Sequence, residues 1–194
     1  MKTKITIVSV LLIFCLCQAF SWDGVRKGFL LGIEFGAGYD AFGGIEYDSL
    51  GSGEKSNSAL AFAASPRIGY AFTNRMALMY ARNPLTFPVK NDAGKGVQIT
   101  VCTESLQFLY FLEDSAPSVY LGAGAGFGYF FDEDTFNEPE MNYSANSLKG
   151  IGVYGILGFE PIRHVTAELA VHVRSPQEGA YDMAVSLLIG VLGY

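Results

Sequence analysis

Between residues 117 and 131 the chain reads P-S-V-Y-L-G-A-G-A-G-F-G-Y-F-F, and no other stretch limits the fold so tightly. Every second residue gives Val119, Leu121, Ala123, Ala125, Phe127, Tyr129 and Phe131; the residues between them are Tyr120, Gly122, Gly124, Gly126, Gly128 and Phe130. Successive side chains of a strand point to opposite faces, so one face here is apolar and mostly bulky while the other is nearly bare. Aromatic residues end both faces, roughly 25 Å apart at about 3.3 Å per residue, which is close to the height of a bilayer's apolar band. The stretch reads as a β-strand that crosses a membrane.

The same alternation recurs in seven further segments, predicted as strands over residues 29–40, 59–72, 75–82, 97–112, 147–159, 163–174 and 181–194. The seventh strand is the cleanest, with Val165, Ala167, Leu169, Val171 and Val173 set against His164, Thr166, Glu168, Ala170, His172 and Arg174. The fourth changes phase: Val97, Ile99 and Val101 fall on one side, Leu106, Phe108, Tyr110 and Leu112 on the other, which calls for a bulge near 103–105. The last strand has no clear phase beyond Ser186. Short turns are predicted at 73–74, 113–116 and 160–162, and longer loops at 41–58, 83–96, 132–146 and 175–180. An even number of strands with short turns at one end and longer loops at the other is the pattern of an outer-membrane barrel, with both termini on the short-turn side.

The first 21 residues carry a basic start at Lys2 and Lys4, an apolar run over residues 5–17, and Ala19-Phe20-Ser21. This is a secretory signal peptide, cleaved after Ser21 or Ala19, and it leaves residues 22–194 as one barrel domain. A lipoprotein signal is excluded by Leu16 ahead of Cys17. Cleavage removes Cys15 and Cys17, so Cys102 has no partner for an intramolecular disulfide. The remaining chain has no apolar run near the ~18 residues a membrane helix needs. Only 16% of the chain is charged, against about 25% in a soluble domain. A lipid bilayer offers no partner to an open sheet edge, so strands that enter it must close into a barrel.

The expected fold is therefore all-β: an eight-stranded antiparallel up-and-down transmembrane β-barrel. A soluble barrel would turn the Phe, Leu and Val face inward and give water a face made largely of Gly and Ala. An eight-stranded interior is narrow and takes small side chains better than rows of aromatics. The apolar face is accordingly assigned to lipid, with Tyr39, Tyr70, Tyr129 and Tyr194 as an interfacial girdle.

With its signal peptide, eight alternating segments, Gly-rich strand at 121–128 and C-terminal aromatic, the chain resembles small bacterial outer-membrane barrels of the opacity-protein, OmpX, OmpA-transmembrane and OmpW type. The resemblance covers the whole mature chain and concerns architecture. It implies integral outer-membrane residence with both termini periplasmic, and contact with outer-membrane lipid and lipopolysaccharide. It also implies recognition by the barrel assembly machinery of a final strand closing on an aromatic, here Leu188, Leu192 and Tyr194, with Gly190 a weak position. The OmpW likeness would imply a narrow channel for small hydrophobic solutes, and other members of this architecture are lipid-modifying enzymes.

Alternation places Glu34, Asp40, Arg67, Glu168, His172 and Arg174 on the lumen face, with Glu104 left open by the bulge. Charges in so narrow a space must compensate one another. Glu34 with Arg67, and Glu168 with Arg67, are the expected pairs, making Glu34, Arg67, Glu168, His172 and Arg174 a lumen charge network. A hydrolytic site is weakly indicated: Ser175 and Glu178 lie near His172, without the H-x-S spacing of a deacylase, since Arg174 stands in that place. No enzymatic role, cofactor or metal site is expected. The acidic run Asp132, Glu133, Asp134, Glu138 and Glu140 lacks the spacing of a calcium loop and reads as a solvated surface. Nineteen acidic residues against thirteen basic ones, two of them lost with the signal, argue against nucleic acid. The expected role is structural or surface-interacting, with host or surface ligands meeting loops 41–58, 83–96 and 132–146.

Overall fold

The computed structural model describes residues 25–47, 51–90, 96–132, 149–175 and 181–194. The expected signal peptide, the acidic run beyond Asp132 and Glu178 lie outside them. Eight strands follow one another: β1 (Gly28–Tyr47), β2 (Gly51–Ala71), β3 (Met76–Lys90), β4 (Gly96–Phe111), β5 (Ser118–Asp132), β6 (Lys149–Ile162), β7 (Val165–Ser175) and β8 (Tyr181–Gly193). Each pairs antiparallel with the next, and β8 pairs with β1 to close the barrel. Cα partners traced from Leu31 pass through Ile68, Tyr80, Leu106, Ala125, Val153, Val173 and Met183 and return to β1 at Ala41, a stagger of ten residues. A stagger of that size over eight strands tilts them about 40° from the barrel axis.

The apolar stripes face outward on every strand. Leu60, Phe62, Phe127, Ile151, Leu187 and Ile189 are each at least 59% exposed. A surface of that kind is stable against lipid and not against water. Tyr39 and Tyr70 stand on this outer face, as a girdle requires. Tyr194 does not: it is buried at the barrel end, so its assignment to the girdle is corrected. Strand β8 has a regular phase, with Tyr181, Met183, Val185, Leu187, Ile189 and Val191 outside and Asp182, Ala184, Ser186, Leu188 and Leu192 inside.

The predicted bulge in β4 is absent. Its partners on β3 and β5 run without a register shift. Ile99 and Val101 share the inward phase of Thr103, Ser105, Gln107, Leu109 and Phe111. The sequence changes phase there because the environment inverts. Toward the far end of β1–β4, Ile99 and Val101 pack inside with Phe42, Leu85 and Phe87, and the Phe42 and Phe87 rings stack at 5.7 Å. Outside them stand Thr86, Thr100, Arg82 and Glu104, with Arg82 Nε 3.6 Å from Glu104 Oε1. Here the wall of β3 and β4 is polar outside and apolar inside, the reverse of the apolar stripes elsewhere.

Two predicted loops are therefore shorter than expected. Residues 41–47 and 51–58 continue β1 and β2, and residues 83–90 continue β3 despite Pro84 and Pro88. The prolines are accommodated locally. Between β2 and β3 the paired residues stop at Ala63↔Leu85 and resume at Arg67↔Ala81, and Pro66 and Pro84, which have no N–H to give, fall in the interval. The Ser65 hydroxyl donates to Asn83 Oδ1 at 2.7 Å and bridges this interval from inside. The β6–β7 turn is also displaced, to Arg163–His164, where His164 takes a left-handed backbone (φ 69°). Strand β6 runs through 160–162 because Glu160 is held by the barrel interior.

Candidate functional site

The strand pleat sends a column of charged side chains into the lumen, arranged in three levels. Nearest the tight turns, Arg26 precedes β1 and lies across the barrel mouth. Its Nη2 is 2.6 Å from Glu160 Oε2, its Nη1 donates to the carbonyls of Asn74 (3.1 Å) and Glu113 (2.6 Å), and its guanidinium lies over the Phe111 ring at 4.2 Å. The other oxygen of Glu160 accepts from the Tyr194 hydroxyl at 2.5 Å and from the backbone of His164 at 3.1 Å. Burial and this carboxylate push the Tyr194 phenol up to about 12. One arginine thus ties the turns after β2 and β4 to β6 and to the last residue of the chain. Outside the barrel at the same end, Arg75 donates to Asp114 at 2.9 Å and holds its carboxyl below the usual range.

At the middle level Arg67 meets two carboxylates. Its Nη2 lies 2.5 Å from Glu34 Oε2 and 2.7 Å from Glu168 Oε1, and its Nη1 is 2.7 Å from Glu168 Oε2. Thr166 donates to Glu34 at 2.5 Å and Tyr120 to Glu168 at 2.8 Å. The room for this comes from the bare strands: a Cβ on Gly158 would sit 2.1 Å from the Tyr120 ring. From Arg67 a polar chain continues through Ser65 and Asn83 to Ser105 and Gln107.

At the upper level Arg174 donates to Asp182, to Thr103 at 3.1 Å and to Asp40 at 3.3 Å. Gly128 and Gly152 flank its aliphatic stem, where a Cβ on either would come within 3.1 Å of it. Above this level the Phe42, Leu85, Phe87, Ile99 and Val101 cluster fills the interior on the side of β1–β4.

The structure brings Glu34, Arg67 and Glu168 together in one network and gives Arg174 a separate one with Asp40 and Asp182. His172 belongs to neither. It is buried with its ring edge-on to Tyr154 at 4.3 Å, and its Nδ1 finds no partner. Glu104 is outside, paired with Arg82, and Cys102 is covered there, with Arg82 Nε 3.4 Å from its sulfur. His172 points inward and Ser175 outward, so the two lie on opposite faces of β7. Leu188, Leu192 and Tyr194 are all buried on the inner side. Sequence reasoning missed Arg26, Glu160 and Asp182. Alternation could have placed Asp182, two residues from Ala184 on the inner phase, whereas Arg26 precedes the strand and carries no periodic signal.

No protein-family model and no curated relative matches the chain. Solved structures do. The attachment invasion locus protein Ail of Yersinia pestis, crystallised with the heparin analogue sucrose octasulfate, superposes with a TM-score of 0.55 at 14% identity, covering 86% of this chain and 99% of that one. Neisserial surface protein A gives a TM-score of 0.55 at 13% identity, covering 87% and 98%. This is the fold of a small outer-membrane barrel. At these identities the likeness concerns architecture alone, and the chemistry of the lumen rests on this chain's own residues.

Proposed function

We propose that the protein is an integral barrel of the bacterial outer membrane, with both termini periplasmic, a closed lumen, and a structural or surface-interacting role carried by its external hairpins. The observation that carries this reading is the bridge of Arg67 to Glu34 and Glu168, which joins β1, β2 and β7 across a narrow interior with all three side chains at most 2% exposed. The Arg26 and Arg174 levels and the apolar cluster above them support it. With the lumen occupied, contact with other molecules falls to the parts of β1–β4 that rise beyond the lipid band and to the loops they carry. Lipopolysaccharide and lipid surround the wall, and the acidic excess of the chain favours neutral or cationic surface partners over polyanions. The opposite orientations of His172 and Ser175 support a non-enzymatic role.

A narrow path for small apolar solutes is the second reading. The interruption between β2 and β3 favours it, because strand edges with fewer ladder hydrogen bonds separate at lower cost. Planar-bilayer recording of refolded protein decides between them. The closed reading expects no stable current from the wild type and discrete steps from Arg67→Ala. Steady conductance or solute flux through the wild-type barrel overturns it.

A further inference from the structure

The buried charges of the described lumen do not balance. Arg26, Arg67 and Arg174 stand against Glu34, Asp40, Glu160, Glu168 and Asp182, all at most 4% exposed. Arg26 and Glu160 neutralise each other. The other two levels repeat one arrangement, in which a single guanidinium is shared by two carboxyl groups. At the middle level both carboxyls reach the same Arg67 Nη2, Glu34 Oε2 at 2.5 Å and Glu168 Oε1 at 2.7 Å, and at the upper level Asp40 and Asp182 flank the Arg174 guanidinium. Two ionised carboxylates cannot hydrogen-bond, since each only accepts. At the upper level the consequence is visible atom by atom: Asp40 Oδ1 and Asp182 Oδ2 are buried and have no partner.

We propose that the lumen binds two protons, one held between Glu34 and Glu168 and one between Asp40 and Asp182. Each proton makes its carboxyl pair a single negative charge, which the shared arginine then neutralises. Leaving either level one positive charge short would bury an uncompensated carboxylate, a cost of several kcal/mol. Among the described residues no other group supplies the missing charge. The described polar side chains that face the middle pair are Ser65, Thr166, Tyr120 and Tyr154, with Arg67 the only cation among them; those facing the upper pair are Thr103 and His172, with Arg174 the only cation among them. His172 packs edge-on to the Tyr154 ring with its Nδ1 unpartnered, two residues from Arg174 on the same inner face, where a second cation would be repelled. When hydroxide removes these protons, both levels acquire repulsion between adjacent carboxylates, so the protons serve to keep the lumen closed. The inference rests on the closed-lumen reading only for that last consequence, and its test does not depend on conductance.

Infrared spectroscopy of the refolded barrel at neutral pH reads it directly through the C=O stretch of protonated side-chain carboxyls. Two protonated carboxyls per barrel are expected. Asp182→Asn should remove one and Glu34→Gln the other, each amide being able to donate where the proton did, with heat-modifiable migration as the check on folding. A wild-type spectrum at neutral pH with no protonated carboxyl overturns the proposal, as does a signal that survives both substitutions in folded protein. A conducting wild type would sink the closed-lumen reading and leave the infrared result standing.

Discussion

Arg26 Nη2 lies 2.6 Å from Glu160 Oε2, joining the segment ahead of β1 to the end of β6 with both side chains almost completely buried. Removing one partner of a buried pair leaves the other charge uncompensated, at a cost of about 3–5 kcal/mol. Arg26→Ala should therefore lower the stability of the folded barrel by that order, read from urea unfolding in micelles. Substituting Lys27, which is exposed, should leave it unchanged.

The Tyr194 hydroxyl donates to the same Glu160 at 2.5 Å, and its phenol is pushed up to about 12. The proton is held more tightly in the folded chain than in the unfolded one, where a phenol ionises near pH 10. The stabilisation is therefore complete below about pH 10 and is lost as pH rises toward the folded value. Tyr194→Phe should lower stability at neutral pH by about 1–3 kcal/mol, by leaving a buried acceptor short of a donor. It should also remove the alkaline fall attributable to this group. An unchanged alkaline limb in the variant would exclude this assignment.

Gly158 and Tyr120 are cross-strand partners, and the Tyr120 ring occupies the space where a Cβ on residue 158 would stand, 2.1 Å from it. Gly158→Ala should displace the ring, break the bond from Tyr120 to Glu168 and cost about 1–3 kcal/mol, as overpacking does. In a Tyr120→Ala background the same change should cost almost nothing, because its cause is gone. Additive losses in the double variant would show that the glycine acts on the backbone instead.

These levels were unequally legible in the sequence. The strict alternation of β7 and the glycines of β5 fix which side chains turn inward, so Glu34, Arg67, Glu168 and Arg174 could be assigned a face without any structure. Alternation says nothing about reach across the lumen, and the partners of Arg174, Asp40 and Asp182, come from β1 and β8 through closure of the barrel. Ile99 and Val101 misled for a physical reason. A rule that sends apolar residues outward assumes the lipid band outside and a polar interior, whereas the interior at these two is apolar and filled by Phe42, Leu85 and Phe87. Pro84 and Pro88 suggested a loop because proline normally ends a strand, yet β3 continues where its ladder to β2 is interrupted.

The height of that band supplies a last prediction. Leu169 on β7 faces outward among Leu157 and Leu187, its partners on β6 and β8, all three substantially exposed. Thr100 also faces outward, but on β4 six residues beyond Leu106 toward the far end, where its hydroxyl meets that of Thr86 at 2.9 Å. Lipid against the first group and the headgroup layer against the second would give one substitution unequal consequences at the two sites. Leu169→Arg should cost about 2–4 kcal/mol, as a charge near the bilayer midplane does. Thr100→Arg should cost no more than about 1 kcal/mol, as a charge near the interface does. Urea titration of both variants refolded into lipid vesicles makes the comparison. Equal costs at the two positions would place Thr86 and Thr100 within the apolar band.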